Sequence, residues 1–108
     1  MSVVAVHLTF AALGDPTRRA LVERLTRGEA TVSELAVPHD MSLPAVTKHL
    51  RVLEDAGLLT RRKRGRTVVC SLNRAPLAEA QSWLIDRQRM WSANLDRLER
   101  FLIEEKDA

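Results

Sequence analysis

The side chains best suited to chemistry lie between Ser42 and Arg66, and the chemistry they suit is recognition of a polyanion. Thr47, Lys48 and Arg51 are spaced to share one face of a helix that starts near Ser42 and Pro44. Hydroxyl, ammonium and guanidinium groups on such a helix can reach base edges and phosphate oxygens in the major groove. Further along, Arg61, Arg62, Lys63, Arg64 and Arg66 put five cations within six positions around Gly65. A run of this kind can merely block strand addition at a sheet edge. Five cations in one tip, however, exceed what solubility requires, and helix and tip together suit a two-point electrostatic grip on duplex DNA.

Within that surface Thr47 and Lys48 are the candidate base readers. Leu43, Pro44 and Ala45 are candidates for contact with thymine methyls, and Ser42 and Arg51 for phosphate. His49 belongs to the same segment but lies toward its inner edge, where a hydrogen-bonded packing role is expected. Arg61, Arg62, Lys63, Arg64 and Arg66 are assigned to phosphate or the minor groove, with phosphate preferred. Arg18 and Arg19 either add backbone contacts or pair with Glu23.

Such residues work only if the chain between them folds as helix, turn, helix and hairpin. Val6, Phe10 and Leu13 fall at helical spacing in a first helix over about 3–13, and Gly14 suits a left-handed helix end. Asp15-Pro16 reads as an N-cap followed by proline at the first helical position, starting a second helix that reaches about Arg27. Thr31 and Glu34 make a capping-box pattern for a third helix, which Pro38 is expected to stop. Ser42 caps a fourth, running to Ala56, with Val46, Leu50 and Leu53 on its inner stripe and Gly57 at its end. Leu58–Arg62 and Arg66–Leu72 read as two strands joined at Gly65. From Pro76 to about 105 there is neither Gly nor Pro, so one long helix of about 45 Å follows. The expected class is mainly α with a small β-hairpin: five helices and a two-stranded ribbon in the order α-α-α-α-β-β-α, one domain over 1–108.

Composition removes several alternatives. With 108 residues, 45% hydrophobic and 29% charged, the chain suits a single folded domain. The net charge of +3 is unevenly placed: between Leu43 and Arg74 eight Lys or Arg face two acids, while nine face twelve elsewhere. No apolar run approaches the ~20 residues of a membrane span. The run from Val3 to Val6 has no preceding cation and is broken by His7 and Thr9, so it does not read as a signal peptide. The lone Cys70 precludes an internal disulfide and fits a reducing cytoplasm. No phosphate loop, flanked nucleophile or carboxylate pair marks a catalytic site, so no enzymatic activity and no cofactor are expected. RNA readout is disfavoured by the absence of Tyr and the placement of Phe10, Phe101, Trp83 and Trp91 in helices expected to pack.

The last helix carries Leu77, Leu84, Trp91, Leu95, Leu98 and Leu102 in a heptad-like rhythm, with Trp83, Ile85, Met90 and Phe101 off that stripe. This is more apolar surface than a core of this size can cover. Either the helix folds back over the first two helices or a partner helix covers it, and the second reading is preferred.

In order and spacing, Leu13-Gly14-Asp15-Pro16-Thr17-Arg18-Arg19, Ser42-Leu43-Pro44-Ala45-Val46-Thr47-Lys48-His49-Leu50, Leu53-Glu54-Asp55-Ala56-Gly57-Leu58 and the basic hairpin resemble the ArsR-type winged helix-turn-helix repressors. Trp91 to Leu102 resembles the branch with a long, tryptophan-bearing last helix. The resemblance implies a homodimer on double-stranded DNA at a palindromic operator, with Val3, Val6, His7 and Phe10 joining Leu84, Trp91, Leu95, Leu98 and Leu102 at the dimer interface. The chain departs from the family's metal sensors. Ala36 and Pro38 stand where those carry paired cysteines, and no histidine follows His49. No metal site is expected within one chain, although two copies could pool His7 or Cys70. The effector stays unassigned, Cys70 is expected to be a buried inert thiol, and a protein-binding helical module with a basic surface is the competing function.

Overall fold

A computed structural model describes residues 3–107, with side-chain surroundings for 5–106. Its elements are α1 (Val3–Leu13), α2 (Pro16–Leu25), β1 (Ala30–Thr31), α3 (Val32–Ala36), α4 (Leu43–Asp55), β2 (Leu59–Arg64), β3 (Thr67–Leu72) and α5 (Ala75–Asp107). The five helices and the basic hairpin match the sequence reading, but the sheet does not stop at two strands. Its order is β1-β3-β2, all antiparallel, with Ala30 and Thr31 opposite Cys70 and Val69. Two residues carry no strand periodicity of their own, so this pairing is visible only in three dimensions.

Local chemistry sets most helix ends. Asp15 accepts from the Arg18 amide at 3.0 Å, and Pro16 opens α2. Thr31 Oγ1 accepts from the Glu34 amide at 3.1 Å while Glu34 Oε1 accepts from the Thr31 amide at 3.3 Å, closing the capping box. After Asp55 the chain reverses through Gly57 at φ 79°; the Leu58 amide bonds Leu53 carbonyl and the Gly57 amide bonds Glu54 carbonyl, the two bonds of a Schellman end.

Two boundaries differ from the sequence reading. Gly14 does not occupy the left-handed region; its value is space, since a Cβ there would meet the Ala11 carbonyl oxygen at 3.2 Å. Helix α2 ends at Leu25, short of Arg27. As expected, α3 stops before Pro38, at Ala36, and Pro38 itself sits within a single 3₁₀ turn, Val37–His39, where a proline near the start forfeits no intrahelical bond.

The core gathers one face of every element but the far end of α5. Leu21 and Leu25 of α2, Leu35 and Ala36 of α3, Val46, Leu50 and Leu53 of α4, then Leu58, Leu59 and Cys70 are all buried together. Small Ala36 sits in the same cluster as Val46, as close approach of α3 and α4 requires. The inner face of α5 is not the expected leucine stripe. Leu77 packs on the core, Ala80 is buried, and Trp83 meets Phe10 edge to face at 5.8 Å while the Arg87 guanidinium lies over the Trp83 ring, 5.5 Å from its centroid. From Gln88 to Lys106 every residue of α5 is exposed, so the helix does not fold back over α1 and α2. The radius of gyration, 20.0 Å, exceeds the ~13 Å of a compact chain of this length, because α5 projects from the body. No described helix is long and apolar enough to cross a membrane.

Candidate nucleic-acid interface

The recognition candidates sit on α4, whose inner stripe of Val46, Leu50 and Leu53 is completely buried. Burying three branched aliphatic side chains at ~1.5–3 kcal/mol each fixes the rotation of this helix. Its opposite face is therefore fixed too. Lys48 and Arg51 are exposed and Thr47 half-buried beside them. At the entrance Ser42 Oγ accepts from the Ala45 amide at 3.3 Å, so its hydroxyl serves the helix itself. Leu43, half exposed at 50%, stands with exposed Pro44 and half-buried Ala45 at the outer end. An apolar residue left in water at a helix start suits a partner with methyl groups.

His49 faces inward to a junction of three helices. Its Nδ1 lies 3.4 Å from Arg18 Nη1 and 3.8 Å from Asp15 Oδ2. Arg18 does not pair with Glu23. Its Nε donates to the Ala12 carbonyl at 2.6 Å and its Nη2 to that of Ala11 at 3.3 Å, capping the end of α1 with a cation. The hydrogen bond from the Arg18 amide is the main cause that holds the Asp15 carboxyl below its ordinary value; burial opposes it, and the nearby Arg18 guanidinium adds a smaller lowering effect. One guanidinium thus ties α1, α2 and α4 together. Arg18→Ala is expected to cost about 1–2 kcal/mol, several degrees of melting temperature by circular dichroism. Arg18→Lys, which keeps the charge but loses the fork, should recover less than half. An unchanged melting curve for Arg18→Ala would refute this role.

The hairpin turns at Gly65, whose φ of 61° is what the first central position of a II′ turn requires. Strand alternation then splits its cations between two faces. Arg61 pairs with Cys70 across the ladder and points toward α4, where Glu54 grips it twofold, Nε to Oε2 at 3.2 Å and Nη2 to Oε1 at 3.0 Å. That contact lowers the Glu54 pKa and raises that of Arg61. Arg62 and Arg64 fall on the other face, and both reach Glu29 in the loop before β1. Lys63 and Arg66 are the two hairpin cations with no carboxylate partner among the described residues. Glu54 lies only seven positions before Arg61, but Glu29 is 33 positions from Arg62 and carries no local signal.

Cys70 is fully enclosed between Ala30 and Arg61, and burial pushes its thiol pKa up. Such a thiol is protonated and shielded from oxidants. The expected dimer residues divide in two. Leu84, Trp91, Leu95, Leu98 and Leu102 are 50–66% exposed on α5, and His7 is exposed on α1. Val6 is buried and Phe10 half-buried against α5 within the subunit itself, and the Val3 side chain lies outside the described residues.

Comparison with known proteins places this arrangement. A family described as a helix-turn-helix domain matches residues 13–62. The HTH-type transcriptional regulator Rv2034 of Mycobacterium tuberculosis (strain ATCC 25618 / H37Rv) is 40% identical over 96 residues, 89% of this chain and 87% of that protein. The transcriptional repressor SdpR of Bacillus subtilis (strain 168) is 30% identical over 77 residues, 71% of this chain and 86% of its own length. A solved ArsR family transcriptional regulator, RHA00566, superimposes with a TM-score of 0.80 at 43% identity, covering 85% of this chain and 95% of that one. With the capped recognition helix, the basic wing and a relative matched over most of its length, the chain belongs to the ArsR family of winged helix-turn-helix transcriptional regulators.

Proposed function

We propose that two copies of the chain pair through α1 and the exposed length of α5 and repress transcription by occupying a two-fold symmetric operator in the cytoplasm. The observation that carries this reading is the outward face of α4: Thr47, Lys48 and Arg51 are held on a helix whose other side is locked into the core, beside a basic hairpin. Thr47 and Lys48 read base edges. Leu43, Pro44 and Ala45 meet thymine methyls, while Arg51, Lys63 and Arg66 hold phosphate. A relative named as a repressor supports the direction of control.

Selection of bound fragments from random duplex DNA tests the reading directly. The recovered site should be an inverted repeat with half-site centres roughly 10 base pairs, or a multiple of that, apart. Recovery of no enriched sequence, or of an asymmetric single half-site, would refute a symmetric dimer reading DNA.

A further inference from the structure

The Glu29 carboxylate gathers three groups of the wing. Oε2 accepts from Arg62 Nη1 at 2.9 Å and from the Ser71 hydroxyl at 3.3 Å, and Oε1 accepts from Arg62 Nη2 at 3.2 Å and Arg64 Nη2 at 3.3 Å. Glu29 follows Gly28 in the loop before β1, and because β3 lies between β1 and β2, Arg62 and Arg64 reach it across the face of β3 on which Ser71 stands. Arg62 and Arg64 are 50% and 62% exposed, so they would otherwise be free to meet phosphate. One carboxylate engaging both guanidinium groups, Arg62 twofold, holds them away from phosphate more firmly than either pair alone.

Resting on the DNA-binding reading above, we propose that Glu29 is a brake on the wing: it withholds Arg62 and Arg64 from phosphate and so lowers affinity for DNA of any sequence. Phosphate contacts supply most non-specific binding, and each one adds ~0.9 to the dependence of log affinity on log salt. Extrapolated from 1 M, one contact is worth roughly fivefold in affinity at 0.15 M salt. The brake thus reduces occupancy of the random sites that outnumber any operator.

The test measures binding of the full chain to a random-sequence duplex over a salt series, for the wild type and Glu29→Gln. The variant should bind about fivefold to 30-fold more tightly at 0.15 M salt, with a slope steeper by about one to two units. Arg62→Ala with Arg64→Ala should cost little in the wild type but reverse most of that gain in Glu29→Gln. Ser71→Ala, which removes a contact but no charge, should leave the slope unchanged. Melting curves establish that each variant folds. A folded Glu29→Gln with a slope within ~0.3 of the wild type overturns the brake, as does an equal steepening by Ser71→Ala. Wild-type protein that binds no duplex at all would instead refute the DNA-binding reading.

Discussion

Replacing Leu95 and Leu98 together by glutamate is expected to leave a folded monomer whose affinity for the two-half-site operator is about 10²–10⁴-fold lower. Both leucines are more than half exposed and belong to the segment of α5 beyond Gln88, which touches nothing in its own subunit that buries it. Burying a leucine releases ~1.5–3 kcal/mol, and in a symmetric pair each substitution counts twice. Carboxylates in the same position would instead be desolvated without partners. The loss on DNA follows because each half of a linked pair raises the effective concentration of the other, an avidity of about 10²–10⁴ without any new contact. Sedimentation of the variant and its anisotropy titration against the selected operator measure both effects. Since the core lies among α2, α3, α4 and the sheet, its melting should report a folded body. A variant that stays dimeric with unchanged operator binding would overturn the assigned interface.

Lys48→Ala carries the second large effect, on discrimination among DNA sequences. Lys48 projects from the middle of the outward face of α4, between half-buried Thr47 and exposed Arg51. A base-edge contact is worth ~1–3 kcal/mol of discrimination, and two-fold symmetry repeats it, so the operator should lose about 2–6 kcal/mol relative to random duplex. Binding to random DNA should change little, because phosphate contacts carry no sequence information. Equal losses on operator and scrambled duplex would move Lys48 from the base readers to the phosphate contacts.

Both outcomes depend on features with different visibility in the sequence. What the sequence alone determined was everything governed by neighbours within a turn: the Asp15 and Ser42 caps, the Thr31–Glu34 box, the Gly57 helix end, the stripe of Val46, Leu50 and Leu53, and the hairpin around Gly65. Hydrogen bonds and periodicities over three or four residues depend little on the rest of the chain. The outward position of Lys48 and Arg51 follows from them, because burying one face of a helix selects the other.

The tertiary structure decided what depends on which surfaces dock. Apolar residues cover more than one stripe of α5, so spacing alone favoured Leu84; contact with Phe10 turned Trp83 inward and left Leu84 in water. Ala30 and Thr31 became a strand only because β3 offered an open edge. Arg18, an apparent surface cation, became the clasp of three helices once the α1 carbonyls came within its reach. The five adjacent wing cations look equivalent along the chain, yet strand alternation sends Arg61 to Glu54 and Arg62 and Arg64 to Glu29. A residue's type fixes its charge, whereas its distance from an opposite charge many positions away is set only when the chain has folded.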